Sequence, residues 1–482
     1  MITKIYINGF KSLVNCTMYF GPFTCIAGAN AIGKSNFFDA LKFLSHLADN
    51  SVLHATKSIR SEDQRHSNIE DIFYKDGDNQ LKTIDFEIEM IIPDKGEDDL
   101  GQIAEAKITS LRYVLSLKLN DGEMSSEPIE IVKEELWPIT QRETEKNIGF
   151  PFDKAWIRSV LKGRRAGSAF ISSHDGIIKL HSDQTEKGRG GRPTEFIAKK
   201  MPRTLLSTVT AGSPTAFLAR LEMRNWMMLQ FEPSSLRQPS STYEIKNSVI
   251  TESGLNLPAT LYRLNLQIEG YDLYQMLANK MKGLVENIKN IHVDKDDKRD
   301  LLTVQVTFKN GLTLPAQSLS DGTLRFLGLA VIQENSSNSG LICLEEPENG
   351  INPKKIDEMV DLLESMAVDT KFEVDADNPL RQVIINTHSP IVVESVHFSS
   401  LYLAKTKEIY SEELKQKITA TSFSALPYTW KTLRFKVDQT SRGEIASYLE
   451  KSTEKTHSSV WLQKKAESVR SHYAKQLNLP LE

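Results

Sequence analysis

The chain has 482 residues, 40% of them hydrophobic and 25% charged, with a net charge of −4. That length can bury a large core in two or three subdomains, and the weakly acidic balance excludes a polycation, so nucleic-acid contact would require a local basic patch or a partner. Cys16, Cys25 and Cys343 sit in apolar runs without metal-ligand spacing and read as reduced core residues of a cytoplasmic protein; no apolar run is long enough to span a bilayer.

Residues 1–30 read as strand, loop, strand. Ile2, Ile5 and Ile7 lead to Gly9-Phe10-Lys11-Ser12, and Phe23–Ala27 forms a short buried strand, with no sign of a signal peptide at Met1–Ile7. Gly28-Ala29-Asn30-Ala31-Ile32-Gly33-Lys34-Ser35 then fits G-x-x-x-x-G-K-[ST]. It lies between that strand and a helix in which Phe37, Phe38, Leu41, Leu44 and Leu47 recur at helical spacing, the context the motif needs. Gly28, Asn30 and Gly33 let backbone N–H groups curl around phosphate oxygens at a helix N-terminus. Lys34 reaches the β- and γ-phosphates of ATP, Ser35 ligates Mg²⁺, and Asn36 closes the nucleotide-binding set.

Residues 50–80 are polar and lack periodicity. Gln64, in Arg60-Ser61-Glu62-Asp63-Gln64-Arg65, is a candidate metal and water contact set against the plainer reading of a solvated loop. Strand-like alternation returns at Ile84–Met90 and Tyr113–Leu117. The span 96–250 reads as a mixed, partly helical insertion within the nucleotide-binding fold. It carries two basic clusters, Lys162-Gly163-Arg164-Arg165 and Lys187–Arg192, which are either solvated loops or contacts to DNA or RNA phosphate. Helices are expected over Arg220–Leu229, from Leu255, and over Tyr271–Ile291. No sustained heptad run occurs, which argues against long coiled-coil arms.

From about 300 the pattern is again strand, turn, helix. Ser318-Leu319-Ser320-Asp321-Gly322-Thr323 precedes a helix at Leu324–Val331, with Ser320 as N-cap. One helix later Leu341-Ile342-Cys343-Leu344 runs into Glu345-Glu346-Pro347-Glu348. Alone this is a strand end with an acidic turn. After a P-loop it has a Walker B layout, with Glu345 toward Mg²⁺, where aspartate is usual, and Glu346 as the base that polarises the attacking water. Gly350-Ile351-Asn352-Pro353 falls where a dimer-contact loop would lie. Asp375-Ala376-Asp377 reads as a loop rather than a metal site. Val383–Asn386 is a buried strand ending in Thr387-His388-Ser389-Pro390, which places His388 to sense a γ-phosphate. The segment 431–482 is charged and helical in character.

Together these residues resemble the ABC-type ATPases of the RecF, SMC-like and OLD-type group, over roughly 1–95 and 250–405. The opening Ile5–Leu13, the Glu-Glu-Pro-Glu form of Walker B and the Thr-His-Ser-Pro ending carry the likeness; Asn352 stands where many members have histidine. The resemblance implies an α/β P-loop fold with an ABC-type head in split halves, 1–95 and 251–430, around the insertion, with 431–482 as a tail. It implies homodimers or higher oligomers that sandwich ATP and Mg²⁺, with Ser320, Asp321 and Gly322 serving the neighbour's nucleotide and Glu346 and His388 catalytic. No Toprim-like segment follows His388. Among stand-alone ATPases the chain looks like those of bacterial anti-phage systems, most of all the PtuA ATPases of Septu, whose partner is the HNH nuclease PtuB; the PARIS ATPase has similar motifs. A DNA-repair ATPase that clamps DNA itself and a weakly hydrolysing ATP-bound scaffold are the alternatives.

Overall fold

The computed structural model describes residues 1–448 except 60–67, 78, 121–126, 164–166, 184–191, 268–269, 271, 286, 336–338, 442 and 446–447. Its centre is a six-stranded sheet. The elements that build it are β1 (Phe23–Ala27), α1 (Lys34–Leu47), β2 (Met227–Leu229), α2 (Asp321–Glu334), β3 (Gly340–Glu345), α3 (Ile356–Met366), β4 (Arg381–Thr387), β5 (Leu401–Ser411) and β6 (Gln416–Ala425). The strand order is β2-β3-β4-β1-β5-β6, parallel through β5, with β6 antiparallel at the edge.

All five residues of β1 and all seven of β4 are buried, as a parallel sheet covered on both faces requires. Alternation assigns the faces. Ile26, Cys343 and Ile384 point to one side and pack with Phe37, Leu41 and Leu44 of α1. Cys25, Ala27, Ile342, Leu344, Val383 and Ile385 point to the other and pack with Leu324, Leu327 and Val331 of α2 and Met359 and Leu363 of α3.

A second, eight-stranded sheet lies beyond α1. Ile2–Asn8 pairs on one side with Cys16–Tyr19 and on the other with Thr83–Ile91; Ser110–Leu119, Ile129–Pro138, Ile171–His174, Ile177–Leu180 and Thr194–Ile197 follow in order, all antiparallel. Ile5, Ile7, Phe86, Ile88 and Leu115 meet the α1 side chains in one core. Helix α1 is therefore clamped between two sheets, which sets the direction of its N-terminus. Between 96 and 200, where the sequence reads as a mixed, partly helical insertion within the fold, the regular structure among the described residues is more strand than helix, and its longer strands extend the sheet begun by Ile2–Asn8.

Two further boundaries move. The helix expected at Arg220–Leu229 runs Pro214–Arg224, and Met227–Leu229 is the edge strand β2. The helix expected at Tyr271–Ile291 is Leu273–Met281 followed by the strand Ile288–Asp296. At the tail, Trp430–Arg434 is helical, and most residues after 441 lie outside those described. Among the described residues the longest helices have 14 residues, so there is no long coiled coil, and no helix is long and apolar enough to cross a membrane.

Glu134 ties the antiparallel sheet to the 200s segment. It is fully buried and accepts hydrogen bonds from the Leu205 N–H (2.6 Å), the Leu206 N–H (2.9 Å) and the Tyr113 hydroxyl (3.1 Å). Burial pushes its carboxyl from 4.5 up to about 7, and the three donors offset only part of that. A carboxyl whose pKa rises on folding contributes stability below its unfolded value and loses it as pH rises through the folded value. Relative to Glu134→Gln, which does not titrate, the wild-type chain is therefore expected to lose roughly 3 kcal/mol between about pH 4 and about pH 8. Urea unfolding midpoints of both proteins at the two pH values measure it; parallel pH profiles would refute it.

Candidate nucleotide site

The site is assembled at the carboxyl ends of β1, β3 and β4, which are neighbours in the sheet although they are far apart in sequence. At the end of β1 the chain enters the glycine loop. Ala29, Asn30 and Ala31 are exposed at its tip, and Ala31 takes a positive φ of 61°. Gly33 has φ 96°, and a Cβ there would stand 2.1 Å from Thr421 Oγ1 and 2.6 Å from Ser12 Oγ, so both conformation and space demand glycine. Helix α1 starts at Lys34 with Gly33 as its cap, no side-chain cap and no acid in its first turn. Its N-terminal amides are thus left to an anion, which is the fit a triphosphate requires.

Lys34 is buried, and its ammonium donates to Gly28 O (2.7 Å) and Ala29 O (2.8 Å). Burial lowers its pKa, and the carboxylates of Glu346, Glu348 and Glu345 oppose that shift. Ser35 is half-buried in the first turn of α1. Asn36 faces inward: its amide donates to Ser12 Oγ (2.7 Å). Ser12 Oγ in turn lies 2.7 Å from Thr421 Oγ1, and the Thr421 hydroxyl donates to Ile32 O (2.9 Å). In this structure Asn36 braces the loop from behind, through a threonine on β6 that no motif announced.

At the end of β3 the backbone reverses at Glu346, which holds φ at 47°, a left-handed value uncommon for a residue with a side chain. The turn is held by the Glu346 N–H, shared between Asn386 O (3.0 Å) and Asn386 Oδ1 (3.1 Å) at the end of β4. Its carboxylate is fastened at both oxygens. His388 Nδ1 lies 2.7 Å from Oε1, and the Asn349 amide donates to Oε2 at 2.9 Å. Burial raises the Glu346 carboxyl, but the bonds to Asn349 and His388 and the charge of Lys34 outweigh it, so the net shift is downward. Glu346 is thereby kept ionised and can only accept, which puts the proton on His388 Nδ1. Next to it Glu348 is buried and takes a hydrogen bond from the Thr387 hydroxyl; burial raises its pKa.

Glu345 ends β3 half-buried, in a small cleft lined also by Asp39, Lys42, Gln230 and Glu252. Gln230 was missed by sequence reasoning. It is the first residue after β2, which runs parallel to the Glu345 strand, with Leu229 level with Leu344. Gln230 thus shares the cleft with Glu345. Gln64 lies outside the described residues.

Ser320 caps α2 as expected, accepting from the Thr323 N–H at 3.3 Å. Asp321 pairs with Arg237 (2.5 Å), which also donates to Leu319 O (2.9 Å). A Cβ on Gly322 would be 2.4 Å from Gly350 O, so this glycine lets the α2 N-terminus close on the loop after Walker B. Among the described residues no hydrogen bond joins Ser320–Thr323 to the glycine loop of the same chain. Asn352, in the loop after Gly350, caps a short 3-10 turn through the Lys354 N–H (3.0 Å). Of the basic clusters, Lys162 is paired with Asp94 (2.6 Å) and Glu105 (3.3 Å), while Arg164, Arg165 and 187–191 lie outside the described residues. Asp375 spends its carboxylate on the N–H groups of Asp377 (2.9 Å) and Asn378 (2.8 Å), as a loop residue does.

Two family models match the chain. Residues 1–162 match "AAA ATPase domain", and residues 235–394 match "AAA domain, putative AbiEii toxin, Type IV TA system". Each matched segment, about a third of the chain, is similar to an AAA-type ATPase domain. The two matched segments contain the glycine loop and the Glu345–His388 region, so both halves of the ATPase site fall within them. Solved structures similar to this ATPase include the "SmcHead bound to the C-winged helix domain of ScpA", with 13% identity, 88% of this chain and 98% of that chain covered, and TM-score 0.46. Others are the SMC head domain from Thermotoga maritima (12%, 88% and 98%, 0.36) and a Smc head domain with an extended coiled coil bound to the C-terminal domain of ScpA, derived from Pyrococcus furiosus (13%, 90% and 98%, 0.43). No curated protein matches the ATPase.

Proposed function

We propose that this chain binds ATP with Mg²⁺ and hydrolyses it in a site completed by a second copy of itself. The observation that carries the reading is the Glu346 carboxylate, fastened by His388 and Asn349 and held ionised in the field of Lys34. Such a carboxylate takes a proton from the water that attacks the γ-phosphorus, while the Lys34 ammonium leaves its loop carbonyls for the phosphate oxygens. His388 fixes the direction of the base. Ser35 and Glu345 would hold Mg²⁺, with Gln230 in the same cleft as Glu345. The metal supplies charge neutralisation on the phosphates, and two protein ligands suit an ion that keeps several waters.

The N-terminus of α2 supports a site shared between copies. Ser320 and the first amides of α2 form an anion-binding end packed on the chain's own Gly350 loop instead of its own glycine loop. A head-to-tail pair would bring each Ser320 to the partner's γ-phosphate, so that ATP assembles the dimer and hydrolysis releases it. In the finer reading this cycle controls a separate nuclease of the HNH type in an anti-phage system. The Septu-like sequence features alone support that part.

A mixing experiment tests the shared site. Lys34→Ala and Ser320→Arg chains are each expected to be inactive. An equimolar mixture should regain up to roughly a quarter of wild-type turnover, because half of the pairs are heterodimers with one intact site. No recovery would place the signature in the same chain's chemistry or outside it.

A further inference from the structure

The proposed cycle uses Glu345 and Glu346 and leaves the third carboxyl of the same turn, Glu348, without a part. Glu348 is 7% exposed, and its Oε1 accepts from the hydroxyl of Thr387, the fully buried last residue of β4. Its Oε2 is buried as well and has no well-formed hydrogen bond. Burying a carboxyl with one oxygen left unpaired costs stability, so packing alone does not account for Glu348.

The Thr387 hydroxyl has both of its roles fixed. Its oxygen accepts from the Ser389 N–H at 2.9 Å, and its single proton goes to Glu348. These two bonds hold the backbone on either side of His388. The His388 side chain is itself 41% exposed, and among the described residues the ring's one hydrogen bond is the 2.7 Å contact with Glu346 Oε1. A ring so exposed keeps its direction only if the backbone that carries it is held. Glu348 can hold it because its own turn is closed: the Asn349 N–H donates to Glu346 O (3.1 Å) and the Ile351 N–H to Glu348 O (3.0 Å). The turn after β3 and the turn after β4 are thus tied by the Glu346 N–H to Asn386, by the Glu346 carboxylate to His388 and, deepest, by Glu348 to Thr387.

We propose that Glu348 is a positioning residue: by holding the Thr387 hydroxyl it sets the direction of His388, and through His388 that of the Glu346 base. This inference rests on the hydrolysis reading above. ATP affinity by calorimetry and single-turnover ATP hydrolysis, both on the full chain with Mg²⁺, test it. Glu348→Met keeps the length of the side chain and removes the acceptor. It should bind ATP within about twofold of wild type and lose about tenfold or more in hydrolysis rate, because small displacements of a catalytic group are costly in rate. Thr387→Val breaks the same link from the other end and should lose a similar factor, which keeps the test available if Glu348→Met does not fold. Glu348→Gln retains an oxygen for the Thr387 hydroxyl and should return the rate to within about threefold of wild type. The deciding comparison is made in a His388→Ala background, where adding Glu348→Met or Thr387→Val should change the rate by less than about twofold if both act through His388. A further loss there as large as in wild type, or an unchanged rate in the single variants, overturns the positioning role while the nucleotide site stands. If wild type binds ATP without hydrolysing it, or does not bind it, the reading beneath falls and this inference with it.

Discussion

Lys34→Ala is expected to weaken ATP binding by roughly 10- to 100-fold, since a charge-assisted contact to phosphate contributes about 1.5–3 kcal/mol and each 1.4 kcal/mol is tenfold. The fold should survive. In the nucleotide-free chain Lys34 bonds only to Gly28 O and Ala29 O among the groups of its own loop, and the loop is braced independently by Asn36, Ser12 and Thr421. Alanine relieves a buried ammonium whose pKa is already lowered by burial, so the thermal midpoint should hold or rise slightly. Calorimetric titration with ATP and a melting curve on the same variant separate the two effects. Wild-type ATP affinity in Lys34→Ala would sink the assignment of this loop.

Glu346→Gln is expected to keep ATP affinity and to slow turnover by a factor on the order of 100–10,000, the usual contribution of a positioned general base. The amide retains an oxygen to accept from Asn349 or His388 and the backbone bonds of the Glu346 N–H to Asn386 are untouched, so the strained turn should persist. What is lost is the proton acceptor. Because hydrolysis is what releases the pair in the proposed cycle, this variant should accumulate as an ATP-bound dimer, visible by light scattering after gel filtration with ATP and Mg²⁺. Normal turnover would move the base elsewhere, and slow turnover without dimer accumulation would separate catalysis from assembly. The lowered pKa of Glu346 adds a sign for the wild-type pH profile: activity that depends on this carboxylate should fall only when pH drops below the ordinary carboxylate range, since the base stays ionised above it.

The three motifs at the heart of the site were legible because each is local. A buried strand followed by glycines and a lysine, by two glutamates, or by Thr-His-Ser-Pro encodes in consecutive residues both the strand end and the turn that exposes the side chain. The Ser320 cap was legible for the same reason, since an N-cap concerns only the next three residues. The bounds of β1 followed from its continuous apolar run, whereas β4 begins at Arg381, two residues before the apolar run that marked it.

Other features depended on which strands became neighbours. Gln230 is unremarked in the sequence, whereas Gln64, the glutamine that the sequence offered, lies outside the described residues. Only the pairing of the three-residue strand β2 with β3 sets Gln230 beside Glu345. In the middle of the chain the strand Ile129–Pro138 was hidden because its alternation is broken by exposed Val132, buried Glu134 and the register shift between Ile131 and Lys133. The sequence by itself determined that this chain builds a phosphate loop, an acidic strand end and a histidine-bearing strand end, because each is written in short-range chemistry. Tertiary structure alone decided that they converge, that Glu346 is clasped by His388 forty-two residues away, and that Thr421 of β6 reaches the glycine loop. Those choices belong to sheet order and core packing, which bring distant residues into contact without leaving a pattern in the residues themselves.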